Sequence, residues 1–238
     1  METVRKIEVF GDSIFKGIQV NPENKRYRVE NYIDIEAISR EHSMVIHNHS
    51  QFGCTIQKGF TMLKKFLTGG ASCDFVVMDY GGNDCDFNWK EIAENPEGAH
   101  SPKTPLETFL GTYKQIIQML KEKAITPVLT TLPPLQPQKF FDWFCRDLNK
   151  QNVMKWLGDI GAIYRYQEKY SRAIESLARE TGAALIDLRG AFLKFRSIDS
   201  LLCEDGVHPN TAGQRLITAA MMEFAGRMKI SGAAAFGG

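Results

Sequence analysis

The chain has 238 residues, 43% of them hydrophobic and 24% charged, which provides for a sizeable core and excludes extended disorder, collagen-like and low-complexity classes. Its 29 Lys and Arg against 28 Asp and Glu leave a formal charge of +1, so no global field recruits nucleic acid or an anionic membrane. Five cysteines without a CxxC pair suit the reduced thiols of a cytoplasm rather than a disulfide framework or a zinc cluster.

The length fits one α/β domain, expected over residues 1–230, with 231–238 (SGAAAFGG) as a flexible C-terminal tail. No stretch reaches the roughly 20 apolar residues of a membrane span, and Met1 to Phe10 is too short and too charged for a signal peptide. A cytoplasmic chain with no stable membrane association is therefore expected. Nothing in the sequence fixes its oligomeric state.

In chain order, the first predicted strand is Ile7 to Phe10, with Gly11-Asp12-Ser13 directly after it. Met44 to His47 is the second strand, followed by Ser50-Gln51-Phe52-Gly53-Cys54 and a helix carrying Ile56, Phe60, Leu63, Phe66 and Leu67. Phe75 to Met78 is the third, and Tyr80-Gly81-Gly82-Asn83-Asp84 follows it. Between Leu106 and Leu120 an apolar residue recurs every three or four positions, the stripe of a core-facing helix. The fourth strand is Ile125 to Leu129. A helix with Ile163, Tyr166, Tyr170, Ile174 and Leu177 precedes the fifth, Ala183 to Ile186, and the last helix carries Leu216, Ile217, Ala220, Met221 and Phe224. Two connectors are longer than plain crossovers need: Cys85 to Pro105, and Pro133 to about Asp159. The second is rich in aromatics and reads equally as a lid over the site or as a helix pair packed on the body.

Strand alternating with helix throughout predicts a parallel sheet covered on both faces. Ligand chemistry then belongs in the loops leaving the carboxyl ends of the strands. Ser13 meets that condition and can act as a nucleophile once a base lies within hydrogen-bond reach, although Asp-Ser after a strand is also a plain helix cap. Asp205-Gly206-Val207-His208-Pro209 offers a base: a carboxylate three residues before a histidine can hold one ring nitrogen and leave the other free, or be only a structural hydrogen bond. Thr211 with Gln214 is placed to form a capping box for the last helix. The Asn83 amide and the Gly53 backbone N–H are candidate donors to a developing oxyanion, with a tight turn and Asx cap as the plainer reading of Gly81 to Asp84.

Together these blocks supply a nucleophile, a base with its orienting group, and oxyanion donors, a full set for acyl transfer. Their order resembles the SGNH (GDSL-type) hydrolases over residues 11 to 209, with Ile14 where that motif usually has leucine. The resemblance implies a three-layer α/β/α sandwich with a five-stranded parallel sheet, the flavodoxin-like SGNH hydrolase fold. It implies Ser13 as nucleophile, His208 as base and then acid, Asp205 as its orienter, and Ser13 N–H, Gly53 N–H and the Asn83 amide as oxyanion hole. A serine esterase of small-molecule carboxylic esters is expected, with short acyl groups such as acetyl, on carbohydrates, as the favoured substrates. Lysophospholipase or thioesterase activity on longer chains, acyl transfer to an alcohol, and a binding module that keeps the fold without the chemistry are the alternatives.

No metal or cofactor is expected. His42, His47 and His49 crowd the second strand, but no acidic residue or cysteine stands near them at ligand-like spacing. Gly11 to Gly17 lacks the phosphate-loop pattern, and no GxGxxG follows the first strand. Cys54 and Cys85 adjoin the expected oxyanion donors and are read either as cleft residues or as buried structural thiols.

Overall fold

A computed structural model describes residues 4–30, 32–70 and 72–234. Among the described residues there are seven strands: β1 (Arg5–Gly11), β2 (Ile18–Val20), β3 (Tyr27–Val29), β4 (Met44–Asn48), β5 (Phe75–Asp79), β6 (Thr126–Thr130) and β7 (Ala184–Ile186). Five of them form one parallel sheet in the order β4-β1-β5-β6-β7. These are the five predicted strands, displaced by one or two residues at their ends.

The helices are α1 (Ile35–His42), α2 (Ile56–Thr68), α3 (Trp89–Glu94), α4 (Leu106–Glu122), α5 (Pro137–Phe144), α6 (Lys150–Leu157), α7 (Gly161–Thr181), α8 (Leu188–Leu193) and α9 (Thr211–Ala234). Side chains alternate across the sheet, so β1, β5, β6 and β7 each feed two cores, while the edge strand β4 feeds one. Phe75 and Val77 of β5 meet Ile7, Val9 and Val128 under α1, α8 and α9. Val76 and Met78 meet Phe10 and Leu129 under α2, α4 and α7. A one-residue slip would exchange the two sets, each side chain carrying roughly 1.5–3 kcal/mol of burial, and this fixes the register. Helix, sheet and helix layers make the expected three-layer sandwich.

The two long connectors pack on each other. Phe87, Trp89 and Ile92 from one share a third core with Leu135, Phe141, Val153 and Leu157 from the other. Trp89 stacks on Phe144 with ring centroids 4.1 Å apart, and the Asn152 amide donates to the Ala93 carbonyl at 2.7 Å. The aromatic segment packs on the body as a helix pair.

Two features differ from expectation. Strands β2 and β3 make an antiparallel hairpin with Ile18 opposite Val29 and Val20 opposite Tyr27, too short to show a period in sequence. Helix α9 is capped by Asn210 rather than by a Thr211–Gln214 box: Asn210 Oδ1 accepts from Ala212 N–H and Gly213 N–H at 2.9 and 3.2 Å. Gln214 is buried and receives the Tyr32 N–H at 2.6 Å instead, so its side chain is committed elsewhere. The tail expected from Ser231 begins inside α9, and residues 235–238 lie outside the described residues. Among the described residues no helix is long and apolar enough to cross a membrane.

Candidate active site

Strand β1 ends at Gly11, where a Cβ would stand 3.0 Å from Ser50 Oγ and 3.1 Å from Asp79 Cβ, so a larger residue would push the neighbouring strand ends apart by a few tenths of an ångström. The next residues form one helical turn, with Lys16 N–H on the Asp12 carbonyl and Ile18 N–H on the Ser13 carbonyl. Asp12 Oδ1 accepts the Ile14 N–H at 2.9 Å. Asp12 thus takes the capping role, and the Ser13 side chain is left for another partner.

That partner is His208. Its Nε2 lies 2.9 Å from Ser13 Oγ, and its Nδ1 lies 2.5 Å from Asp205 Oδ2. The other Asp205 oxygen accepts the N–H groups of Val207 and His208, both at 3.1 Å. Burial pushes the Asp205 carboxyl upward, but the His208 bond and charge and these two N–H groups outweigh it and hold it below the ordinary carboxylate value. The turn is anchored from outside by Gly206, whose φ is +71° and whose carbonyl accepts the Gln136 N–H at 2.8 Å.

Asn83 and Gly53 reach the same edge of the sheet on the loops after β5 and β4. Asn83 Nδ2 donates to Asp12 Oδ2 at 2.9 Å, which orients one amide hydrogen and leaves the second free. Gly53 has φ +67°, and its neighbour Phe52 stacks on the His208 ring at 6.2 Å. Among the described residues neither the Ser13 nor the Gly53 backbone N–H has an acceptor within the protein. A hydroxyl on an imidazole, the imidazole on a carboxylate, and uncommitted donors beside them can carry out acyl transfer.

Several features at this edge were not read from sequence. Asp12, Asp79 and Asp84 are all buried beneath the loops. Burial, then the Asp79 charge, raises the Asp12 carboxyl, and burial pushes Asp79 up to about 7 and Asp84 to about 6. Asp84 accepts the Ile56 N–H at 3.1 Å and so caps α2, whose own Thr55 makes no side-chain cap. The signal for this was Asp84 itself, two residues from a glycine pair, with nothing in sequence to join it to residue 56. Tyr27 on β3 meets His208 edge-on at 5.1 Å, and Trp143 on α5 meets Tyr27 at 5.9 Å.

Of the two readings of Cys54 and Cys85, the buried one is formed: both belong to the core under α2 and α4, and burial raises both thiols, Cys54 to about 11. His47 Nδ1 and His49 Nε2 share the buried Glu8, at 2.9 and 2.6 Å, an acidic partner that only the β1–β4 register brings alongside. Among the described residues no three His, Cys, Asp or Glu side chains form a metal-holding group.

Compared with known proteins, residues 9–216 match the model of the GDSL-like Lipase/Acylhydrolase family. No curated protein matches the sequence. Similar solved structures include the lipase/acylhydrolase from Enterococcus faecalis, at 19% identity and TM-score 0.63, covering 94% of this chain and 97% of that one. Axe2, an acetylxylan esterase from Geobacillus stearothermophilus, is 19% identical with TM-score 0.66, covering 93% and 94%. LAE5, an α/β hydrolase enzyme from the metagenome of Lake Arreo, is 19% identical with TM-score 0.65, covering 93% and 95%.

Proposed function

The chain belongs to the GDSL-like lipase/acylhydrolase family and is a carboxylic ester hydrolase, and we propose that it works through an acyl-enzyme on Ser13 with a preference for acetyl esters of carbohydrates. Ser13 Oγ attacks the ester carbonyl as its proton passes to His208 Nε2, and Asp205 stabilises the imidazolium that results. The oxyanion is held by the Ser13 and Gly53 N–H groups and the free Asn83 amide hydrogen. As the carbon–oxygen bond to the alcohol breaks, His208 returns the proton to the leaving oxygen. Water then repeats the sequence and releases the acid. The scheme needs no metal or cofactor.

The observation that carries this reading is the unbroken line from Ser13 Oγ through both ring nitrogens of His208 to Asp205, at 2.9 and 2.5 Å. Among the similar structures, catalytic mutants of Axe2 replace a serine and a histidine by alanine, and that enzyme acts on acetylxylan. The free cysteines suit the cytoplasm.

The test is hydrolysis of p-nitrophenyl esters of about two to twelve acyl carbons, each buried methylene being worth roughly 0.8 kcal/mol in an apolar pocket. Activity that falls with chain length and vanishes in Ser13→Ala supports the short-acyl esterase. Activity that rises with length favours a lysophospholipase or thioesterase. Ester formation with an added alcohol identifies an acyltransferase, and inertness throughout a binding module.

A further inference from the structure

Three aromatic rings from three separate segments meet on the open side of His208. Tyr27 stands edge-on to the imidazole at 5.1 Å, Phe52 lies parallel to it at 6.2 Å and 12°, and Trp143 closes the row 5.9 Å from Tyr27. Tyr27 and Phe52 also meet each other at 5.3 Å. These rings are not spent on the core, since Tyr27 is 42% and Phe52 54% exposed. At the outer end the Arg146 guanidinium lies 3.8 Å from the Trp143 ring centroid, and its Nε donates to the Trp143 carbonyl at 3.0 Å. Among the described residues no carboxylate pairs with Arg146, and the Trp143 carbonyl on its Nε is its one protein acceptor.

We propose that Tyr27, Phe52, Trp143 and Arg146 form the subsite for the alcohol half of the ester, and that its occupant is a pyranose ring. The inference rests on the roles given above to Ser13 and His208. In acylation the Ser13 Oγ–carbon bond forms, the carbon–alcohol oxygen bond breaks, and the proton on His208 Nε2 moves to that oxygen. The leaving oxygen must therefore lie within hydrogen-bond reach of the imidazole, and whatever is attached to it lies against the rings that flank the imidazole. The acyl oxygen, by contrast, is directed to the N–H donors of Ser13, Gly53 and Asn83.

The surroundings select the occupant. An alkyl chain laid on rings this exposed would stay half in water, and a lipid site requires an enclosed apolar wall. A sugar ring places its C–H face on the aromatic faces and keeps its hydroxyls in solvent or on a guanidinium fork. Trp143 orders Arg146 by its ring and its carbonyl at once, which makes that fork a preset donor.

The experiment compares kcat and KM for an acetylated methyl glucopyranoside and for ethyl acetate in the wild type, Tyr27→Leu, Phe52→Leu, Trp143→Leu and Arg146→Gln. In each ring variant the ratio of kcat/KM for the sugar ester to that for ethyl acetate falls about tenfold, mainly through KM, and in Arg146→Gln about threefold. A ratio that moves less than about twofold in all three ring variants overturns the subsite, as does a loss falling on p-nitrophenyl octanoate instead. Ligand-observed NMR with unesterified methyl glucopyranoside reads the same subsite without turnover: saturation reaches the pyranose C–H protons in wild type and is lost in Trp143→Leu. Absence of saturation in the wild type overturns the proposal even if the enzyme hydrolyses esters. Inertness toward both esters with saturation intact instead removes the esterase reading and leaves the sugar-binding site standing.

Discussion

Replacing Asp205 by asparagine reverses the direction of the hydrogen bonds on His208 while leaving the turn in place. Asp205 Oδ1 accepts two backbone N–H groups at 3.1 Å, and the asparagine carbonyl can take the same two bonds. Its NH2 then faces His208 Nδ1 across the 2.5 Å now spanned to Oδ2, and a donor there obliges Nδ1 to be the unprotonated nitrogen. The ring proton moves to Nε2, which faces Ser13 Oγ at 2.9 Å and can no longer accept from it. Turning the amide over offers no relief, because the NH2 would then meet the N–H groups of Val207 and His208. Inversion of the tautomer at an equivalent triad lowers kcat by about 10⁴, which is about 5 kcal/mol at 1.36 kcal/mol per decade. The assay is kcat for p-nitrophenyl acetate from about pH 5 to 9, with a melting curve of each protein. Because Asp205 sits below the ordinary carboxylate range, its own titration does not set the acid limb of the wild-type profile. A folded Asp205→Asn protein with kcat within about tenfold of wild type would refute the assignment of His208 as base.

Asp79 gives a test of stability against pH. Burial raises its carboxyl from 3.8 to about 7, while the Thr130 hydroxyl donates to Oδ1 at 2.8 Å. Across that window the folded chain holds a proton the unfolded chain has released, so stability declines as pH rises and the full penalty is present above about 7. Asp79→Asn keeps the Thr130 bond and is expected to melt a few degrees above wild type at pH 8, with the gap closing toward pH 4; an equal gap at both pH values speaks against it. Two glycines of positive φ should differ in how much stability their replacement costs. In Gly206→Ala the Cβ would sit 2.6 Å from the Gln136 carbonyl oxygen and 2.9 Å from the Phe140 nitrogen, so urea unfolding should show a loss of about 2–4 kcal/mol together with lost turnover. Gly53→Ala meets nothing within 4 Å, so its cost is backbone strain of about 1 kcal/mol, and turnover should fall more than stability as the N–H turns away. Asn210→Ala removes the cap of α9 and should cost about 1–2 kcal/mol in urea with KM unchanged.

The central strands β1, β5 and β6 were legible because both of their faces are buried, so their apolar runs stand out against glycine and polar turns, and the edge strand β4 was legible from its short β-rich run. The hydrogen-bonded line of the candidate site was legible because Ser13, Asp205 and His208 lie in short blocks of fixed spacing. What stayed hidden depends on pairings between distant segments. Nothing in the spacing of residues 27 and 208 says that a three-residue strand will set a tyrosine against an imidazole, and nothing near residue 56 says that Asp84 caps its helix. Glu8 is separated from His47 and His49 by the whole first crossover, and only strand register makes them neighbours. Capping failed at Thr211 for a related reason: Asn210 offered a shorter local reach, and Gln214 was drawn to the distant Tyr32 N–H.

The β2–β3 hairpin springs directly from the turn that carries Ser13. Ile18 N–H bonds the Ser13 carbonyl at 3.0 Å and Glu30 N–H bonds the Gly17 carbonyl at 2.8 Å, which fastens both legs of the hairpin to the loop that carries Ser13. At its tip Lys25 pairs with Glu204, next to Asp205. The hairpin therefore works as a strut between the two ends of the chain, spanning from serine to histidine loop. Lengthening or grafting it would shift Ser13 Oγ and His208 relative to each other, whereas Trp143 is mounted on a separate helix and meets the hairpin through Tyr27.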